Sequence, residues 1–87
     1  MAYTIYILPA AVKALATMPR ADQLRIRNRI DSLADNPRPP GVTKLRGTDD
    51  LYRIRARDYR IVYRVENVRL VVLVIRIGHR REVYRGL

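Results

Sequence analysis

The chain has 87 residues, with 18 basic side chains against 8 acidic ones and a formal net charge of +10. That length suits a single domain over 1–87, able to bury roughly 64% of its unfolded surface, while the absence of cysteine excludes a disulfide framework, a thiol nucleophile and a thiolate zinc site. A lone histidine excludes a histidine-rich metal centre, the longest apolar run (Leu70 to Ile75) is too short to span a bilayer, and no signal peptide is visible, so the expectation is a cytoplasmic domain that needs no metal, cofactor or membrane and whose charge attracts a polyanion.

Tyr3 to Leu8 is rich in β-branched and aromatic residues and predicts a first strand. Pro9 stops it and suits the first position of a helix. Val12, Leu15, Ala16 and Met18 follow at helical spacing. Pro19 opens a second helix, in which Ile26, Ile30, Leu33 and Ala34 form an i, i+4, i+7, i+8 stripe. Asn36-Pro37 ends it, because proline disfavours helix in the residue before it. Residues 9–36 therefore predict a helical hairpin.

Residues 37–50 carry Pro37, Pro39, Pro40, Gly41 and Gly47 and predict a loop. Three strand-like runs follow, Leu51–Arg57, Tyr59–Glu66 and Val68–Ile77, with turns expected near Arg57-Asp58 and Glu66-Asn67. These links are too short for parallel crossovers, so the three strands must pair as antiparallel hairpins. The expected architecture is α+β, ordered βααβββ, with the helical hairpin packed on one face of an antiparallel sheet.

Charge is uneven along this order. Residues 1–36 carry a net +2 and residues 37–87 a net +8, and all basic residues but Lys13 and Lys44 are arginine. Side chains alternate faces along a strand, so Tyr52, Ile54 and Ala56 share one face while Arg53, Arg55 and Arg57 share the other. In the next strand Tyr59, Ile61, Tyr63 and Val65 form an apolar face opposite Arg60, Val62 and Arg64. A two-residue turn at Arg57-Asp58 pairs Ala56 with Tyr59, Ile54 with Ile61, and Tyr52 with Tyr63. A slip of one residue would drive arginines into the core.

The same register sets Arg55 directly against Arg60. Like charges so placed destabilise a sheet, which points to a site built for phosphate, where guanidinium supplies a planar fork of donors. The alternative is a solvated basic face. In the last strand Val68, Leu70, Val72 and Val74 are expected to face the helices. Val71, Leu73, Ile75 and Ile77 then fall on the arginine side and need an apolar cover from the chain's tail or a partner.

Lys44-Leu45-Arg46-Gly47, Leu51-Tyr52-Arg53-Ile54-Arg55, Tyr59-Arg60-Ile61-Val62-Tyr63, Gly78-His79-Arg80 and Val83-Tyr84, in that order, closely resemble the RelE/ParE superfamily of toxins from type II toxin–antitoxin systems. The resemblance covers nearly the whole chain and is nearest to the RelE branch. It implies a RelE-like fold and an endoribonuclease that cleaves mRNA, in RelE itself within the ribosomal A site, and so inhibits translation. The implied partners are the ribosome, mRNA and a cognate antitoxin encoded by an adjacent gene, in a complex expected to be heterotetrameric or larger.

Carried over by position, the resemblance puts Arg60 on the scissile phosphate and Arg53 and Arg55 where RelE toxins often have lysines. Arg80 falls on the arginine that follows the glycine of the last strand, Tyr84 on a C-terminal tyrosine, and His79 where some relatives have histidine. Arg46, with Lys44, belongs to the implied RNA-binding set. The implied chemistry needs no metal: the RNA 2′-OH attacks the adjacent phosphorus. Arg55, Arg60 and Arg80 suit stabilisation of the phosphorane. Arginine does not give up its proton, so proton transfer falls to His79 or Tyr84, or else catalysis is mainly electrostatic and positional. Two other functions stay open: a ParE-like gyrase-inhibiting toxin without nuclease activity, and a basic nucleic-acid-binding module without catalysis.

Overall fold

The computed structural model describes residues 3–47 and 50–79. β1 (Thr4–Ile7) leads into α1 (Pro9–Ala16) and α2 (Arg20–Ser32). They are followed by β2 (Thr43–Lys44), β3 (Leu51–Ala56), β4 (Tyr59–Glu66) and β5 (Val71–His79). Pro9 occupies the start of α1, where its missing N–H costs nothing. Pro19 caps α2, and the Gln23 amide donates back to the Met18 carbonyl at 2.9 Å, satisfying a polar group at the sharp junction between the helices.

The α+β architecture expected from the sequence is present, and the sheet is larger and mixed. Its order is β1-β5-β4-β3-β2. The β3–β4–β5 strands are antiparallel as expected, whereas β1 pairs parallel with β5, Thr4 against Val71 through Ile7 against Val74. The long connection that a parallel pair requires runs through the helical hairpin to the far edge of the sheet and returns through β3 and β4. The two-residue β2, inside what the sequence predicts as loop, adds a short fifth strand against Tyr52 and Arg53.

One core fills the space between the helices and the sheet. Ile26, Ile30 and Leu33 of the second helical stripe pack with Tyr52, Ile54, Ile61, Tyr63, Val72 and Val74. On α1 the buried pair is Ala11 and Leu15, while Val12 is exposed. Two positions four apart suffice to line the narrow contact of a short helix with β5. Above the sheet end, the buried Tyr63 hydroxyl donates to the Pro37 carbonyl at 2.7 Å, and its ring stacks on Tyr52 at 5.9 Å. Burial pushes the Tyr63 phenol up to about 12. Arg38 lies over the Tyr52 ring at 5.3 Å and donates to its hydroxyl at 3.0 Å.

The β3–β4 register is the one expected, including Arg55 against Arg60. The reversal runs through Arg57, whose φ of 56° lies in the left-handed region. The second turn differs. It occupies 67–70, so Val68 and Leu70 are exposed turn residues and β5 begins only at Val71. A register shift opposite Val62 and Tyr63 then inserts one extra residue into β5. Such a bulge reverses the alternation beyond it. Ile77 consequently joins the core at 3% exposure, contrary to the expectation that it faces the arginines. Val71, Leu73 and Ile75 remain half-buried, and the tail expected to cover them lies outside the described residues.

Candidate functional site

The sheet face turned away from the helices is divided. On one side it carries Val71 and Leu73 of β5, with the exposed Tyr6 paired against Leu73. On the other it carries Arg53, Arg55 and Arg60. Val62, flanked in register by Arg53 and Arg76, is fully buried although it lies on this face.

The cationic half borders a cleft of about 330 Å³ lined by Arg29, Gly41, Thr43, Arg53, Ile54, Arg55 and Arg60. Each wall has a local origin. β3 places Arg53 and Arg55 two residues apart on one face. β4 returns Arg60 directly across from Arg55. Gly78 of β5 stands opposite Arg60 on its other side and brings no side chain to that position. Gly41, at φ 89°, turns the loop back towards β3. The isoleucine side chain at 54 is buried in the core, so this residue meets the cleft through its backbone.

The Arg60 Nε is buried and has no hydrogen-bond partner among the described residues. An unpaired buried donor of a charged group costs about 1–3 kcal/mol, and the Arg55–Arg60 juxtaposition adds cross-strand repulsion. An anion bound between the two guanidiniums would relieve the cross-strand repulsion. The arrangement is suited to hold a phosphate and to stabilise charge developing on its oxygens.

The structure brings together some of the sequence-derived residues and separates others. Arg53, Arg55 and Arg60 converge on the cleft. His79 does not join them. It pairs with Tyr59 in register, beyond the bulge, and so shares the helix-side face with that ring, which it meets edge-on at 6.0 Å. The Tyr59 hydroxyl in turn donates to Asp22 at 3.1 Å, and this bond, with burial, pushes the phenol up. Lys44 is exposed on β2 opposite Tyr52, and Arg46 is exposed in the following turn; among the described residues neither lines the cleft. Arg80 and Tyr84 lie outside the described residues.

Arg29, Gly41 and Thr43 were not visible as site residues in the sequence. Arg29 precedes Ile30 and follows Ile26 by three, which marks it as bordering the buried stripe of α2. Nothing local tells that this border abuts the edge of β3.

Comparison with known proteins fits this geometry. A family model described as the ParE toxin of type II toxin–antitoxin systems matches residues 5–84. The mRNA interferase toxin RelE of Escherichia coli K12 is 33% identical over 88 aligned positions, covering 97% of this chain and 92% of its own. Among solved structures, RelE in the archaeal RelE–RelB complex of Pyrococcus horikoshii superposes with a TM-score of 0.84 at 36% identity, covering 94% of this chain and 99% of that one. The intact E. coli RelBE toxin–antitoxin complex gives a TM-score of 0.79 at 30% identity, over 90% and 96% of the two chains.

Proposed function

The chain belongs to the ParE/RelE family of type II toxin–antitoxin toxins, and from this premise we propose that it is an mRNA endoribonuclease acting in the ribosomal A site and held in check by an antitoxin from an adjacent gene. The observation that carries the nuclease reading is the pair of opposed arginines, Arg55 and Arg60, which line one cleft together with Arg53. The mRNA interferase name of a 33% identical relative supports the same substrate.

In the proposed reaction the RNA supplies its own nucleophile. The 2′-oxygen loses its proton and bonds to the adjacent phosphorus, and the bond from phosphorus to the 5′-oxygen breaks. The 5′-oxygen takes up a proton, leaving a 2′,3′-cyclic phosphate and a 5′-hydroxyl. Arg55 and Arg60, with Arg80 as a third cation, neutralise the phosphorane oxygens. Pre-aimed donors of this kind are worth about 10²–10³ in rate each. Of the two candidates for proton transfer, His79 is turned to the other face, so the role is proposed for Tyr84, with much of the catalysis electrostatic. Arg53, Arg46 and Lys44 are proposed as RNA or rRNA contacts.

The antitoxin is proposed to be acidic where it meets this surface, in a complex that is heterotetrameric or larger. RelE structures solved together with RelB support such a partner. A gyrase-inhibiting reading retains one supporting observation, the ParE description of the matching family model. Induction of the chain alone separates the two. Arrest of amino-acid incorporation with new 5′-hydroxyl ends in mRNA supports the nuclease. Continued translation with a DNA-damage response overturns it. Co-expression of the neighbouring short reading frame is expected to restore growth.

A further inference from the structure

The cleft is not confined to the arginine face. It wraps over the edge of β3, because β2 ends where Thr43 pairs with Arg53 and, among the described residues, leaves Ile54, Arg55 and Ala56 without a strand neighbour on that side. Backbone groups alternate direction along a strand. The Leu51 carbonyl accepts from Leu45 on the β2 side, and the Asp50 carbonyl accepts from Val65 on the β4 side. Continuing this alternation, the Arg55 N–H points outward at the open edge, into the cleft. Arg29 of α2 lines the same cleft from behind the edge. Among the described residues, no ion pair engages its guanidinium.

Resting on the reading that the arginine face binds RNA, we propose that Arg29 and the Arg55 backbone N–H hold the phosphate neighbouring the scissile one. The strand then passes from Arg60 across Arg55, over the edge of β3 and down towards α2. A last-turn arginine also complements the helix dipole. That role alone would not require its side chain to share a cleft with three further arginines.

The test compares Arg29→Ala and Arg27→Ala in the full chain. Both lose one charge from the same helix, so long-range attraction changes equally. The probe is a short, uncleavable 2′-O-methyl oligoribonucleotide, with binding read by anisotropy over a salt series. Arg29→Ala is expected to weaken binding about tenfold and to lower the log–log salt slope by about 0.7, the value for one phosphate contact on a single strand. Arg27→Ala is expected to stay within about twofold. Arg29→Lys, which keeps the charge, is expected to recover most of the binding and guards against a misfolded alanine variant. Equal losses for Arg29→Ala and Arg27→Ala, or none, overturn the proposal.

Cleavage of ribosome-bound mRNA tests the underlying reading separately. Arg29→Ala should raise KM about tenfold rather than lower kcat, and Arg60→Ala should lose cleavage. If the parent cuts nothing while the Arg29 and Arg27 variants still differ in binding, the nuclease reading fails and the RNA path stands. If Arg60→Ala is inactive while the two helix variants bind alike, the path fails alone.

Discussion

Arg60→Met should make the protein more stable and far less active. Methionine keeps most of the aliphatic stem of Arg60 and removes its guanidinium. Two penalties disappear. The buried Nε, without a partner among the described residues, carries a desolvation cost of about 1–3 kcal/mol, of which only part is recovered because Arg60 as a whole is only half-buried. The opposed Arg55 contributes roughly 0.2–1 kcal/mol of cross-strand repulsion. A net gain of about 1 kcal/mol follows, and for a domain of this length that raises Tm by about 4–8 °C. The same change removes a guanidinium proposed to hold the phosphate, with an expected loss of about 10²–10³ in cleavage rate. Thermal and urea unfolding of parent and variant measure the first effect, and single-turnover cutting of ribosome-bound mRNA measures the second. Added inorganic phosphate should raise the parent's Tm more than the variant's, since a ligand stabilises only the fold that binds it. A variant that unfolds earlier than the parent, or cuts at the parent rate, would refute the argument that this arginine is held at a structural cost for its chemistry.

Further outcomes follow from other contacts. Tyr63→Phe deletes a buried hydroxyl and orphans the Pro37 carbonyl, costing about 1–3 kcal/mol in urea unfolding with an unchanged m-value. Because burial raises the Tyr63 phenol from 10.0 to about 12, the folded state keeps a proton that the unfolded chain loses. Its contribution is therefore complete below pH about 10 and is lost as pH climbs to about 12, and Tyr63→Phe should flatten this alkaline decline. Arg38→Ala loses the cation–π contact with Tyr52 and two hydrogen bonds, and should destabilise by about 1 kcal/mol, read as a lower urea midpoint. His79→Ala should cut mRNA within about twofold of the parent rate, because its ring lies with Tyr59 on the other face; a loss beyond about tenfold would show that it reaches the phosphate.

How far the sequence reached is clearest in the β3–β4 hairpin. There the alternation of Tyr52, Ile54 and Ala56 with Arg53 and Arg55 admits one register, since any slip puts cations in the core. The register predicted from this pattern is the observed one. The opposed arginines and the cationic face were thus readable from period-2 patterning and a short turn, and the ordered motifs pointed to the family that comparison supports.

The rest depended on contacts between residues distant in the chain. β5 reaches β1 only after the helical hairpin has carried the chain to the far edge and β3 and β4 have brought it back, and no short turn signals such a partner. The bulge in β5 adds one residue where the sequence runs as unbroken apolar strand, and that single insertion turns Ile77 into the core and His79 away from the arginines. Arg29 reaches the cleft only because α2 packs beside the edge where β2 ends. Of the +10 balance, local alternation placed Arg53, Arg55 and Arg60 on one face, because side-chain direction in a strand is fixed by the pleat. Tertiary packing decided which other residues share their cleft, because an extra residue or a helix approach leaves no mark in a local pattern.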